Sequence, residues 1–267
     1  MKETKGITLS DVRAVYSGPE GDLWELVMGQ QIHIGGFKSS MDLAERAGIK
    51  PGTTGVDLCC CNGAGMRFLL RFRGVRSMCG VDATQRVVDR GYERCAAEGF
   101  ADRATFILSD VCDTGLPSAS VDFAWGEDAW CYVVDKPALI AEAVRLVKGG
   151  GTIAFTDWVE GSAGLTPEEA ERFLKFMKFQ NIQDIEGYSS LLAANGCEVT
   201  FAEDTKRFSP CVDLYLQMLD MQLTSDALRI IGWDMDLMQA MAGEMAFMQQ
   251  IARAGKIIQA IFVARRK

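Results

Sequence analysis

The run VDLCCCNGAG, Val56 to Gly65, ends a short apolar stretch on an acid and follows it with a tight loop of small residues. A helix-like run begins directly after. A second acid, Asp82, closes the next apolar stretch, and a third, Asp110, closes the one after that. Glycine lets a backbone approach a ligand closely. The N–H groups at a helix start hold carboxylates or phosphates. An ionised carboxylate accepts two hydroxyl donors at once, which suits Asp82 to the two hydroxyls of a ribose. These residues point to a site for an adenosine-containing ligand and leave the kind of cofactor open. For each acid taken alone, a helix cap or a surface turn is the competing explanation.

A second cluster follows at Trp125-Gly126-Glu127-Asp128-Ala129-Trp130-Cys131-Tyr132. Aromatic faces attract cations and carboxylates steady them, so this stretch suits a nitrogen that gains positive charge. Core packing competes for Trp125 and Trp130, and a solvated turn for Glu127 and Asp128. His33 is the only histidine and stands beside Gly35-Gly36. A neutral imidazole there can orient a substrate or take a proton, or serve as a structural hydrogen bonder. Arg172 and Lys175 share a helix face and offer a partner for a substrate carboxylate, although charged helix residues usually face solvent.

These residues need elements to position them. Apolar stretches at about 53–59, 77–82, 104–108, 121–125 and 152–158 alternate with helix-like runs at about 65–73, 84–98 and 136–147. That rhythm predicts an α/β fold with parallel crossovers. Open parallel sheets bind at the carboxyl ends of their strands, which is where Cys59, Asp82, Asp110, Trp125 and Asp157 should fall. Beyond residue 160 the rhythm breaks into helical segments, a strand near 198–202, a Met-rich helical stretch over 210–254 and a last strand. The division reads as an arm over 1–37, a cofactor-binding core over 38–160, a helical insertion over 161–197, a core strand over 198–209, a second insertion over 210–255 and a final strand over 256–267.

The chain has 267 residues and a formal charge of −8, with no charged tail. Nucleic-acid binding usually leaves a basic patch, and none is visible, so no nucleic-acid partner is expected. Nine cysteines, three of them adjacent, fit a disulfide framework poorly and favour a reduced, cytoplasmic setting. With no CxxC pair and one histidine, no metal site is expected. No apolar run reaches membrane-spanning length. The Met238, Met241, Met245 and Met248 stripe suits core packing or a subunit contact, so a homodimer is an open expectation.

With loop, acids and topology together, the chain resembles the class I S-adenosylmethionine-dependent methyltransferases over about residues 25–205. The resemblance implies a Rossmann-like, seven-stranded, mostly parallel sheet with an antiparallel edge hairpin and helical caps. The family loop has an acid followed by three glycines at alternate positions. Here Asp57 and Gly63 match, while Cys59 and Cys61 replace the first two glycines. If the fold holds, those two positions need negative-φ geometry or carry strain. Three stretches, MGQQIHIGGF, FAWGEDAW and IAFTDWVEG, look like the subgroup that methylates glycine, sarcosine or dimethylglycine, and phosphoethanolamine methyltransferases share much of the pattern.

The resemblance implies S-adenosyl-L-methionine as cofactor and S-adenosyl-L-homocysteine as product. Asp57, Cys59, Cys61, Gly63 and Gly65 would form the loop around its methionine end. Asp82 and Ala83 would meet the ribose, Asp110 the adenine amino group and Val111 the ring, with Gly126 and Glu127 completing the site. His33, Trp125, Glu127 and Asp128 would do the catalytic work. His33, Trp130, Tyr132, Asp157, Arg172 and Tyr188 would line the acceptor pocket, under an arm that closes the site. The first functional reading is methyl transfer to the nitrogen of a small-molecule amine. Three others stay open: O- or C-methylation of a larger natural product, a NAD-linked oxidoreductase, and a non-catalytic nucleoside-binding protein. The oxidoreductase would need a Tyr-Lys proton donor, which the sequence does not place.

Overall fold

A computed structural model describes residues 1–267. The chain opens with β1 (Lys2–Glu3), α1 (Leu9–Ser17), α2 (Pro19–Met28) and α3 (Gly36–Arg46). Next come β2 (Thr54–Leu58), α4 (Ala64–Phe72), β3 (Ser77–Asp82), α5 (Gln85–Ala97), β4 (Ala104–Leu108) and β5 (Val121–Glu127). They are followed by α6 (Lys136–Leu146), β6 (Val147–Glu160), α7 (Pro167–Met177), β7 (Asn181–Ile182), α8 (Ile185–Ala194) and β8 (Cys197–Asp204). The chain closes with α9 (Phe208–Met218), α10 (Thr224–Ile230), α11 (Met235–Arg253) and β9 (Ile257–Arg266).

Seven strands form one sheet in the order β4-β3-β2-β5-β6-β9-β8. The pairs β2–β3, β2–β5, β3–β4 and β5–β6 are parallel. The pairs β6–β9 and β8–β9 are antiparallel. This is the seven-stranded, Rossmann-like methyltransferase architecture that the resemblance implies, and its parallel crossovers are those the alternating pattern predicts. The chain reverses its strand order beside β2, so the loops after β2 and β5 open onto the crevice at the switch point. Buried apolar residues pack both faces, with Leu58, Ile153 and Phe262 on one and Phe68, Met66 and Phe123 on the other.

The amino-terminal segment, an arm in the sequence reading, holds two helices. Gly18 ends α1 and Pro19 opens α2, which breaks the segment in two. Thr8 and Asp11 cap α1, with the Thr8 amide donating to Asp11 Oδ2 at 2.8 Å. Asp22 and Glu25 on α2 pair with Arg86, Arg90 and Arg94 on one face of α5, which fixes the arm to the core. The two-residue β1–β7 ribbon ties the same arm to the segment after α7. The helix α8 packs Tyr188 and Leu192 into the main core, so it is a crossover helix of the sheet rather than part of a cap. In contrast, α7, α9 and α11 build their own apolar cluster with Trp24, Ile34 and Trp158. No helix is long and apolar enough to cross a membrane.

Candidate active site

A cavity of about 310 Å³ opens at the carboxyl ends of β2, β3 and β5. Asp57, Asp82, Asp110 and Glu127 line it together, one from each of four neighbouring strand ends. At its floor, α4 starts at Ala64 after Gly63, whose φ is 72°. A Cβ on Gly65 would lie 2.6 Å from Glu127 Oε2, 3.1 Å from Trp125 Nε1 and 3.2 Å from Asp57 Oδ2. Two carboxylates and an indole N–H therefore converge on the empty side of one glycine. Trp125 Nε1 is buried there without a hydrogen-bond partner. Burial, with Glu127 and Asp82 nearby, pushes the Asp57 carboxyl well above its usual range. A bound ammonium group would reverse that shift.

Asp82 is built as a double acceptor. Its Oδ2 receives the Cys61 amide at 3.0 Å and its Oδ1 the Thr84 amide at 2.9 Å. Burial raises its pKa and these amides oppose the rise. Each oxygen keeps a lone pair for a further donor. Ala83 and Val111 supply apolar wall on either side. Asp110 caps the Cys112 amide at 2.9 Å from the cavity rim.

Four non-glycine residues around this cavity have left-handed backbone: Ile32 (φ 47°), Cys59 (66°), Cys61 (46°) and Asp128 (51°). The negative-φ alternative for the cysteines is thus overturned and the strained one holds. Each strained residue is pinned. The Cys59 and Cys60 amides both donate to the Val81 carbonyl, and the Cys61 amide is held by Asp82. All nine cysteines are free thiols. Burial raises the pKa of Cys59 and Cys61, and Cys112 is pushed up to about 12, so these thiols stay protonated. Backbone strain clusters at functional sites because only a surrounding scaffold can hold it.

Asp128 is a staple. Its Oδ2 accepts the Ile34 amide at 2.8 Å and Trp158 Nε1 at 3.2 Å, and Gln259 Nε2 donates to both oxygens at 2.8 and 2.9 Å. It holds the Gly29–Gly35 loop against the sheet and at the same time lines the cavity. His33 is buried and does not line the cavity. Its Nε2 lies 3.2 Å from Ser40 Oγ and 3.3 Å from Glu127 Oε1, and Ser40 Oγ donates to that same oxygen at 2.7 Å. His33 therefore lies behind Glu127, on the side away from the cavity.

Several other expected residues lie outside the cavity. The Trp125 ring is core, and Trp130 stacks on Phe155 at 4.0 Å while its Nε1 donates to the Leu58 carbonyl. Gly126 is glycine because a Cβ would lie 2.3 Å from Trp130 Nε1. Likewise Gly63 makes room for Phe106. Asp157 is fully buried, accepting from Tyr188 Oη at 2.6 Å and from the Cys131 amide at 3.0 Å. Tyr188 is thereby a core residue too. Arg172 lies on the surface and pairs with Glu244. Their apolar or oppositely charged surroundings explain these placements better than any pocket.

Tyr132 does line the cavity, in edge contact with Tyr16 at 5.5 Å between ring centroids. Leu9, Val12 and Tyr16, all from α1, complete this wall and were not legible as site residues. Their i, i+3, i+7 spacing marks a helix face, but nothing local says what that face covers. Six carboxylates line the cavity and no Lys, Arg or His does.

Residues 56–155 match the family described as Methyltransferase domain. Phosphoethanolamine N-methyltransferase 1 of Arabidopsis thaliana is 25% identical over 201 residues, covering 75% of this chain. The chain spans about two fifths of that relative's length, 39%. A provisionally assigned sarcosine dimethylglycine methyltransferase from Galdieria sulphuraria superposes with a TM-score of 0.84 at 19% identity, covering 95% of this chain and 98% of the other. The [4+2]-cyclase SpnF superposes with a TM-score of 0.80 at 21% identity, covering 99% and 98%. At these identities the structural likeness is one of fold.

Proposed function

We propose that this chain, whose fold is that of the class I methyltransferases, binds S-adenosylmethionine in the cavity and transfers its methyl group to a small molecule. The observation that carries the reading is the convergence of Asp57, Asp82, Asp110 and Glu127 on one cavity beside the start of α4. Asp82 accepts the ribose hydroxyls. Asp57 and Glu127 hold the ammonium group, and the amides opening α4 hold the carboxylate. Asp110 and Val111 flank the adenine. The cofactor supplies an electrophilic methyl group. The chain's own part is to align the acceptor and exclude water, which α1 and the stapled Gly29–Gly35 loop do by covering the cavity. His33 and Ser40 fix the Glu127 carboxylate rather than abstract a proton.

The acceptor atom in this reading is an amine nitrogen, supported by the likeness to the phosphoethanolamine N-methyltransferase and by the Tyr16 and Tyr132 rings in the same cavity wall as Glu127. Transfer to oxygen or carbon of a larger molecule is the second reading, favoured by the apolar wall of Leu9, Val12 and Ile32. A screen with isotope-labelled S-adenosylmethionine against amines, phenols and alcohols separates them. Label appearing on an amine supports the first. Label on phenols or alcohols alone replaces it with the second, and no label on any acceptor argues against both.

A further inference from the structure

We infer that the acceptor carries no anionic group and is recognised through an apolar or aromatic body; this rests on the methyl-transfer reading and narrows it. The cavity wall offers six carboxylates and no cationic side chain. An anion placed there would lose its water, find no partner and face like charge.

Four cations of the surrounding elements are committed elsewhere. Arg67 donates to the Asn62 carbonyl and Gln30 Oε1 and pairs with Glu98. Arg90 is held by Asp22 and Glu25. Lys136 is buried, and its Nζ donates to the Cys131 and Val133 carbonyls. Arg207 pairs with Asp42. The amide end of α4 is the one feature suited to an anion, and it sits at the methionine end beside Asp57 and Glu127.

Away from the acids the wall is apolar: Leu9, Val12, Tyr16, Ile32, Tyr132 and Val133. Beyond Tyr16, Ile32, Tyr132 and the Asp128 carboxylate lies a second void of about 20 Å³, bounded by Trp24, Trp158 and Phe179 and likewise without a cation. The carboxylates of glycine, sarcosine and dimethylglycine and the phosphate of phosphoethanolamine are therefore poorly served. Phenols, alcohols and amines on an apolar body fit.

The test uses the full chain loaded with S-adenosylhomocysteine, titrated with matched pairs: tyramine against tyrosine, 3-phenylpropanol against 3-phenylpropionate, ethanolamine against phosphoethanolamine. The same pairs are then run as methyl acceptors. The non-anionic member should bind or react at least tenfold better. Equal behaviour, a preference for the acids, or failure of every non-anionic member overturns the inference. A Val134→Lys variant adds a cation at an exposed position on the wall and should improve the acids about tenfold. No improvement would place the acceptor away from this wall and contradict the inference. Loading with S-adenosylhomocysteine comes first, so failure of the methyl-transfer reading is seen before any acceptor is added.

Discussion

Cys59 and Cys61 sit in left-handed backbone that a glycine would adopt freely. That geometry costs an L-residue roughly 1–2 kcal/mol, partly offset because glycine loses roughly 0.5–1 kcal/mol more chain entropy on folding. Cys61→Gly should therefore be as stable as the parent or up to about 1.5 kcal/mol more stable. Cys61→Ala keeps the strain and should show no gain in thermal unfolding. Equal losses in both variants would mean that thiol packing matters and strain does not. The acids at 57, 82 and 110 are legible from spacing, because each ends an apolar stretch. Tyr16, Ser40 and Gln259 are not, because their partners lie far away in sequence and no local pattern marks them.

Elements explain what single residues cannot. The alternation that gives the sheet is plain in the sequence, since each strand and crossover helix keeps its own period. The β1–β7 ribbon is not, since two residues carry no period at all. Asp128 links three elements: the Gly29–Gly35 loop, β6 through Trp158, and β9 through Gln259. Asp128→Ala leaves three buried donors without an acceptor and puts alanine at positive φ, so it should cost about 3 kcal/mol or more. Asp128→Asn keeps one acceptor and tolerates the backbone, so it should cost distinctly less. Urea unfolding of both variants checks the order. If the loop is a lid held by this staple, Asp128→Asn should also raise KM more than it lowers kcat.

At the scale of the molecule, buried charge couples the fold to pH. Burial raises the Asp157 carboxyl to about 6, against the opposing pull of Tyr188 and Lys136 and with Asp128 adding to the rise. The native state then holds an extra proton between the unfolded value of 3.8 and about 6. The stability this contributes is complete below that window and is lost as pH rises through it, by about 3 kcal/mol. Asp157→Asn preserves an acceptor for the Cys131 amide and should make stability less dependent on pH between about 4 and 7. An unchanged slope in urea unfolding would show that Asp157 is ionised in the folded chain.

The central claim is that this cavity is built for an adenosyl sulfonium ligand, and calorimetric titration with S-adenosylhomocysteine tests it most directly. The account predicts binding at one site per chain, with Asp82→Ala at least tenfold weaker while the variant still unfolds cooperatively. Absence of binding to the folded wild-type chain, or an Asp82→Ala variant that binds as tightly, would contradict it.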